Sequence, residues 1–364
     1  MKTIVAGMLG IFVLMADQLL AQDVNMSQFY MLPLELNPAL TGKVRQDFRV
    51  SGGYRNQWQS FGNVFRTMSA GYDMPMFEDV EGTRYFGGGI SFIQDKAGST
   101  QYGFWQVGGS AAYHLKIDRF STFSGGLKIA YGRRQVDLSN VKWESQHNGN
   151  NHDPGLPSGE AAFAENFGYI DAGGGVVYEI IDPYADYVFT SGFSVMHTPL
   201  TKNSFVDRNN ETLKPKYNVH ASLELRYPAF SVEPQLLLSK HTSSIQGTLG
   251  SMIMLIVNPE PESRYTDAHT NSKFGLGLFY RTPGTAFATL VYDYKKNIKV
   301  GMSYDFVVGT ALSDASKNNG GFELSLIYDG KLSKKKISVK KEMRKNKEKK
   351  PKSKGRKYSP DVRM

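Results

Sequence analysis

Histidine titrates near neutral pH and is a common metal ligand, so the seven histidines of this 364-residue chain are the first place to look for chemistry. They are scattered. Only His147 and His152 lie close together, and their Asn- and Gly-rich surroundings read as a solvated external loop rather than a metal site. The chain has no cysteine, which removes disulfide frameworks, thiolate metal sites, iron–sulfur ligation and cysteine nucleophiles together. A Ser-His-acid set can be drawn on paper, but no spacing demands it. Gly87-Gly88-Gly89 and Gly173-Gly174-Gly175 are not phosphate loops, because no helical pattern follows either. They read as places where strands bend or backbones pack closely. No catalytic residue, metal or cofactor is therefore expected.

What remains is charge. Arg49, Arg55, Asp73, His114, Lys128, His220, Glu224, Arg226, Glu233, Lys299, Asp305 and Glu323 all fall on the polar face of an alternating run. Two readings stay open for them: ion pairs with one another, or contacts with a bound polypeptide segment.

The elements that position these residues follow a period of two. In 217–227, Tyr217, Val219, Ala221, Leu223, Leu225 and Tyr227 share one face, and Asn218, His220, Ser222, Glu224 and Arg226 the other. Such runs predict about fourteen strands, near 46–58, 63–75, 84–95, 101–117, 119–134, 167–180, 185–196, 215–227, 230–239, 244–257, 273–281, 285–294, 297–307 and 321–329. Most run to ~10 residues, the length at which a tilted strand crosses a bilayer. An even strand number, alternation and flanking aromatics predict an all-β, antiparallel outer-membrane barrel with a polar interior. A charged side chain on its lipid face would cost roughly 2–4 kcal/mol for Arg or Lys at the midplane, so the charges belong inside. A soluble β-sandwich or propeller is the alternative, and connection lengths argue against it. The links 135–166, 197–214 and 308–320 are long, whereas most of those at the other end are tight. Link 258–272 breaks the rule: strand ten is misplaced, or the turn is a true excursion at the end carrying the termini.

Both ends of the chain carry separate signals. Lys2, the apolar stretch Ile4 to Met15 and the small residue Ala21 form a secretory signal peptide, cleaved after Ala21. Residues 22–45 contain Pro33, Pro38 and Gly42 and are too irregular for a strand. They form a periplasmic leader or a plug inside the barrel that occupies 46–330. Residues 331–364 carry +13 of the net +9, leaving the body 22–330 at −4. This tail is too polar to fold alone and is expected to be disordered, periplasmic and able to bind an anionic surface or acidic partner. The body is thus mildly acidic, and nucleic acid is not an expected partner.

One set of short motifs carries a family resemblance. Ser27-Gln28-Phe29-Tyr30 is followed by Asn37-Pro38-Ala39-Leu40-Thr41-Gly42, and the first strand carries Tyr54-Arg55-Asn56-Gln57-Trp58. Further matches are Tyr72-Asp73-Met74-Pro75, Asp95-Lys96-Ala97-Gly98, Ala112-Tyr113-His114, Gly192 to His197, Tyr280-Arg281 and Ser303-Tyr304-Asp305. Together they resemble the PorP/SprF-type outer-membrane proteins of the type IX secretion system of Bacteroidota. The basic tail departs from that pattern. The resemblance implies a non-enzymatic barrel in type IX secretion or gliding. It would assist a secreted, adhesin-like surface protein or bind periplasmic secretion subunits. A small-solute or fatty-acid-type channel is the alternative, and an outer-membrane enzyme a distant third.

Overall fold

Fourteen antiparallel strands close into one barrel, in which each strand pairs with its sequence neighbours and β1 pairs with β14. The computed structural model describes residues 25–57, 65–79, 82–98, 102–137, 144–148, 151, 153, 155–156, 166–182, 184, 186–198, 214–257, 272–308 and 320–332. The expected signal peptide, nearly all of the basic tail, Trp58 and His152 lie outside the described residues. The strands are β1 (Phe48–Gln57), β2 (Phe65–Glu78), β3 (Arg84–Ala97), β4 (Tyr102–Lys116), β5 (Ser121–Gln135), β6 (Asn166–Asp182) and β7 (Tyr187–Met196). They continue as β8 (Lys216–Arg226), β9 (Phe230–His241), β10 (Ser244–Val257), β11 (Ser272–Arg281), β12 (Thr285–Tyr294), β13 (Ile298–Val307) and β14 (Gly321–Gly330). Every expected strand is present, because a barrel strand between lipid and lumen has no way to hide its period.

The alternation turns the chain inside out relative to a water-soluble fold. In β14, Phe322, Leu324, Leu326 and Tyr328 are exposed on the outer face, while Glu323 and Ser325 are buried. Leu276, Leu278, Ile253, Leu127 and Ile129 make up a bare apolar band. Aromatic side chains edge that band at both ends of the strands: Tyr102, Tyr131, Tyr217, Tyr280 and Phe306 at one, Phe86, Tyr113, Phe123, Tyr292 and Tyr328 at the other. Such girdles sit at the two membrane–water interfaces, where one part of the ring is dry and the other wet. Closure removes the sheet edges, so the ladder satisfies the backbone without water.

We call the end where β1 begins and β14 finishes the near end, and the opposite one the far end. Strand β10 ends at Val257, as expected, so the long connection 258–271 does emerge at the near end. The near-end hairpin between β12 and β13 is tight: Lys295 and Lys296 both adopt positive φ, 48° and 60°, and Asn297 N donates to Tyr294 O at 2.9 Å. Two left-handed residues in succession match the twist of the strands they join.

Residues 25–47 run inside the barrel. They form three short helical turns, Phe29–Met31, Pro33–Leu36 and Pro38–Leu40, and bury Met31, Leu32, Leu34 and Ala39 almost completely. Asn25 hydrogen-bonds Gln246 near the far-end start of β10, whereas Arg45 pairs with Asp293 at the near end of β12. The segment therefore descends the lumen from far end to near end before β1 climbs back. Asn25, the first described residue, thus lies at the opposite end of the barrel from Gly330, whereas the sequence reading put both ends of the chain at one end of the barrel. The interior is also not uniformly polar as expected. Met252, Met254, Phe279, Phe287 and Val291 point inward from β10–β12 and are buried. Tyr30 stacks on Phe279 at 6.0 Å and packs against the methionines, so an apolar wall meets an apolar face of the inserted segment.

Candidate functional site inside the barrel

Four strands far apart in sequence converge on the first turn of the inserted segment. Glu323 of β14 accepts from the backbone N–H groups of Ser27 (2.7 Å) and Gln28 (2.8 Å). Asp305 of β13 accepts from the Ser27 hydroxyl at 2.7 Å, from Arg55 of β1 at 2.6 Å and from Arg281 of β11 at 2.5 Å. Arg55 reaches Glu323 at 3.1 Å as well. All four charged side chains are buried. Two carboxylates and two guanidiniums balance, the main-chain N–H groups of residues 27 and 28 add two donors to Glu323, and the Ser27 hydroxyl adds one to Asp305. A buried ion pair needs such added hydrogen bonds to offset its desolvation.

Asn37 holds the middle of the segment. Its side-chain oxygen accepts from Ala39 N at 2.9 Å and caps a turn that Pro38 opens. Its amide nitrogen reaches the carbonyls of Val176 (3.1 Å) and Phe193 (3.2 Å) and lies 3.2 Å from His220 Nε2. The wall is thinned to receive it. A Cβ at Gly175 would overlap Asn37, and one at Gly126 would overlap the Pro38–Ala39 peptide. Both positions lack a side chain because the inserted segment occupies the space, with the Asn37 side chain at Gly175 and backbone at Gly126.

At the near end, His114 Nε2 lies 2.8 Å from the Thr41 carbonyl and its Nδ1 lies 2.8 Å from Ser124. Asp73 accepts from Gly42 N at 2.7 Å and forms a two-pronged pair with Arg49, at 2.9 and 2.6 Å. Gly42 has φ +76°, and its Cα sits against Gly87 of β3. Lys128 pairs with Glu35 at 2.9 Å, and Lys43 with Glu179 at 2.8 Å.

The expected polar-face residues thus split into two groups. Arg49, Arg55, Asp73, His114, Lys128, His220, Asp305 and Glu323 are buried and touch the inserted segment or its partners. Glu224, Arg226, Glu233 and Lys299 lie near the other wall at the near end. There Glu224 pairs with Arg226 at 3.1 Å and Lys273 at 3.3 Å, and Arg226 is exposed at the rim. Of the first-strand motif, Tyr54, Asn56 and Gln57 flank Arg55 in β1, and Arg55 alone reaches Ser27. Sequence reasoning missed the pairing role of Arg281 and the acids Asp171, Asp293 and Asp329. Their polar-face parity was a usable signal. Lys43 and Arg45 had none, because nothing local says that an irregular segment lies indoors. Among the described residues, no group of three or more His, Asp or Glu side chains is arranged to hold a metal.

Among solved structures, the chain is similar to a monoaromatic hydrocarbon channel mutant, TodX ΔS2S3, at 9% identity and TM-score 0.44, over 82% of this chain and 94% of that one. It is also similar to a Pseudomonas aeruginosa FadL homologue, at 12% identity and TM-score 0.43, over 80% and 92%. The KdgM porin follows at 9% and 0.34, over 78% and 99%. Overlaps this loose carry no functional argument. No curated protein matches the chain. A family model described as type IX secretion system membrane protein PorP/SprF matches residues 19–328.

Proposed function

Since the chain belongs to the PorP/SprF family of type IX secretion membrane proteins, we propose that it serves secretion by binding polypeptide rather than by conducting solutes. The observation that carries this reading is the ion-paired cluster of Arg55, Arg281, Asp305 and Glu323, which fixes the chain's own residues 27–28 in the lumen. A pathway for small molecules needs an open or readily opened interior, whereas this one is tied to its contents along its length. The barrel acts as a non-enzymatic platform in the outer membrane. Export depends on the signal peptide 1–21. The far end, which carries the longest connections, faces outside, and the near end faces the periplasm. Outside, the platform holds a secreted, adhesin-like protein. In the periplasm it meets secretion subunits, with the basic tail 331–364 as a salt-sensitive tether.

Deletion of the gene tests the reading. The expected outcome is loss of one or a few proteins from the cell surface with small-solute uptake unchanged. The purified barrel should show no steady conductance in planar bilayers. A normal surface proteome with lost uptake of a fatty acid or hydrocarbon would replace this reading with the channel.

A further inference from the structure

On the outer face of β3–β7 the apolar band is interrupted by a half-open dent of about 680 Å³. Phe86, Tyr113 and Phe193 stand around it, and Ala111, Gly125 and Gly174 line it where the wall is low. No charged group lines it. The protein's own packing does not account for these glycines. On the lumen side, Gly126 and Gly175 give way to the inserted segment, but Gly125 and Gly174 are their outward-facing neighbours. Neither has the positive φ that favours glycine. A Cβ at Gly125 would meet nothing within 4 Å, and one at Gly174 would ask only a small shift of the exposed Leu127 side chain, 3.2 Å away. Side chains are thus missing from the outer face where the barrel has room for them.

Register gives the dent a direction. Phe86, Tyr113, Gly125, Val176 and Phe193 are successive partners across β3, β4, β5, β6 and β7 and form one row. Strands ~4.8 Å apart make that row about 19 Å long. Phe86 is the third residue of β3 from the near end, in the aromatic girdle, and Phe193 is the seventh of β7. The row therefore climbs from the near-end interface towards the middle of the band. That course suits one acyl chain of the near-end leaflet, whose share of a hydrocarbon core of ~30 Å is about 15 Å. Ala111 and Gly174 belong to the next row, two residues or ~7 Å further along their strands. A transmembrane helix with its side chains is about 10–12 Å across and too wide for a channel of that width. An added strand finds no backbone edge in a closed barrel.

We propose that this dent is a binding site for one acyl chain of a phospholipid from the near-end leaflet. It is continuous with the lipid-facing band, so hydrocarbon is what it meets, and the site goes beyond the secretion reading. Between apolar surfaces in lipid no hydrophobic force operates, and packing decides. A gap left beside the wall forfeits dispersion contacts. A chain laid over Gly125 and Gly174 regains them from bare backbone beneath, and at its head end it meets the rings of Phe86 and Tyr113, which lie 4.9 Å apart. With no charge in the lining, the shape of the chain and not the headgroup sets the preference.

Native mass spectrometry of the full-length protein, released from detergent with dipalmitoyl phosphatidylethanolamine present, tests the site by counting retained lipids. The natural barrel should keep one lipid, and Gly125→Leu combined with Gly174→Leu should keep none while remaining heat-modifiable. Ala111→Leu fills the same dent from β4 and serves where the double variant fails to fold. Gly109→Leu is the control, because Gly109 also has open space on the outer face but does not line the dent. It should keep the lipid. Dipalmitoyl phosphatidylglycerol should be retained as well as the ethanolamine lipid. Retention by the filled variants, loss in the control, or dependence on the headgroup would each overturn the proposal. A dimer that the filled variants dissociate would also overturn it, by assigning the dent to a second copy of the chain.

Discussion

Arg55 and Asp305 stand 250 residues apart in the chain and meet at 2.6 Å inside the barrel, over the Ser27 hydroxyl. One belongs to the first strand and the other to the thirteenth, and the residue they share belongs to neither. The contact therefore reports three events at once: closure of β1 on β14, correct register of β13, and seating of the inserted segment.

Removing one partner should be severe. Arg55→Ala leaves Asp305 and Glu323 buried with part of their compensation gone, and the loss of a buried partner costs about 3–5 kcal/mol. Denaturant midpoints in detergent should fall accordingly. The pair of exposed Arg226 with half-buried Glu224 at the rim offers a control: Arg226→Ala should cost under about 1 kcal/mol. Equal losses at the two sites would remove the clamp as a stability element.

The thinned wall predicts a selective unseating. Gly175→Val places atoms where Asn37 lies, while Gly109 has open space around it and Gly109→Ala should be silent. The chain contains no cysteine, so Ala39→Cys supplies a clean reporter at a fully buried position. Maleimide should leave that thiol unlabelled in the otherwise natural barrel and modify it once Gly175→Val is added, with the barrel still heat-modifiable. Labelling that does not change with Gly175→Val would show that the glycine has no part in seating the segment.

Lipid contact can be read from one position. Leu276 lies in the middle of β11 on the outer face and is half exposed. Leu276→Arg should cost roughly 2–4 kcal/mol in lipid vesicles if it sits near the midplane. Reversible unfolding in vesicles measures this directly, and a cost near zero would deny that the face is in contact with lipid.

Two near-end turns give a pH prediction. Asp79 is held below the usual carboxylate range by the Thr83 hydroxyl and the N–H groups of Thr83 and Arg84. Asp118 is held down by the N–H groups of Phe120 and Ser121. A depressed folded pKa stabilises the turn above the unfolded value, ~3.9 for Asp, and that contribution fades as pH falls through the folded value. Both turns should resist nicking by an acid-active protease near pH 5 and open only well below pH 4. Asp118→Asn should lose the pH dependence of its own turn. Opening that begins at pH 6 would contradict the assignment.

The sequence by itself determined the wall. Each barrel strand lies between lipid and lumen, so the choice between Leu324 and Glu323 is forced residue by residue, and the period survives in the text of the chain. Strand number, the outer band of Leu276 and Leu127, and the inward parity of Arg55, Asp73 and Asp305 all follow from that local constraint. The glycine triplets were legible as close-packing sites, but not what packs on them. Only the tertiary structure decided the contents of the lumen. Residues 25–47 have no period, because short capped turns fit themselves to a surface built by other strands. Nothing near Asn37 in sequence names Val176, Phe193 or His220 as its partners. The apolar interior of Met252, Phe279 and Phe287 escaped the same way. A buried apolar side chain inside a barrel needs a partner there, and that partner, Tyr30, comes from a part of the chain that alternation cannot place.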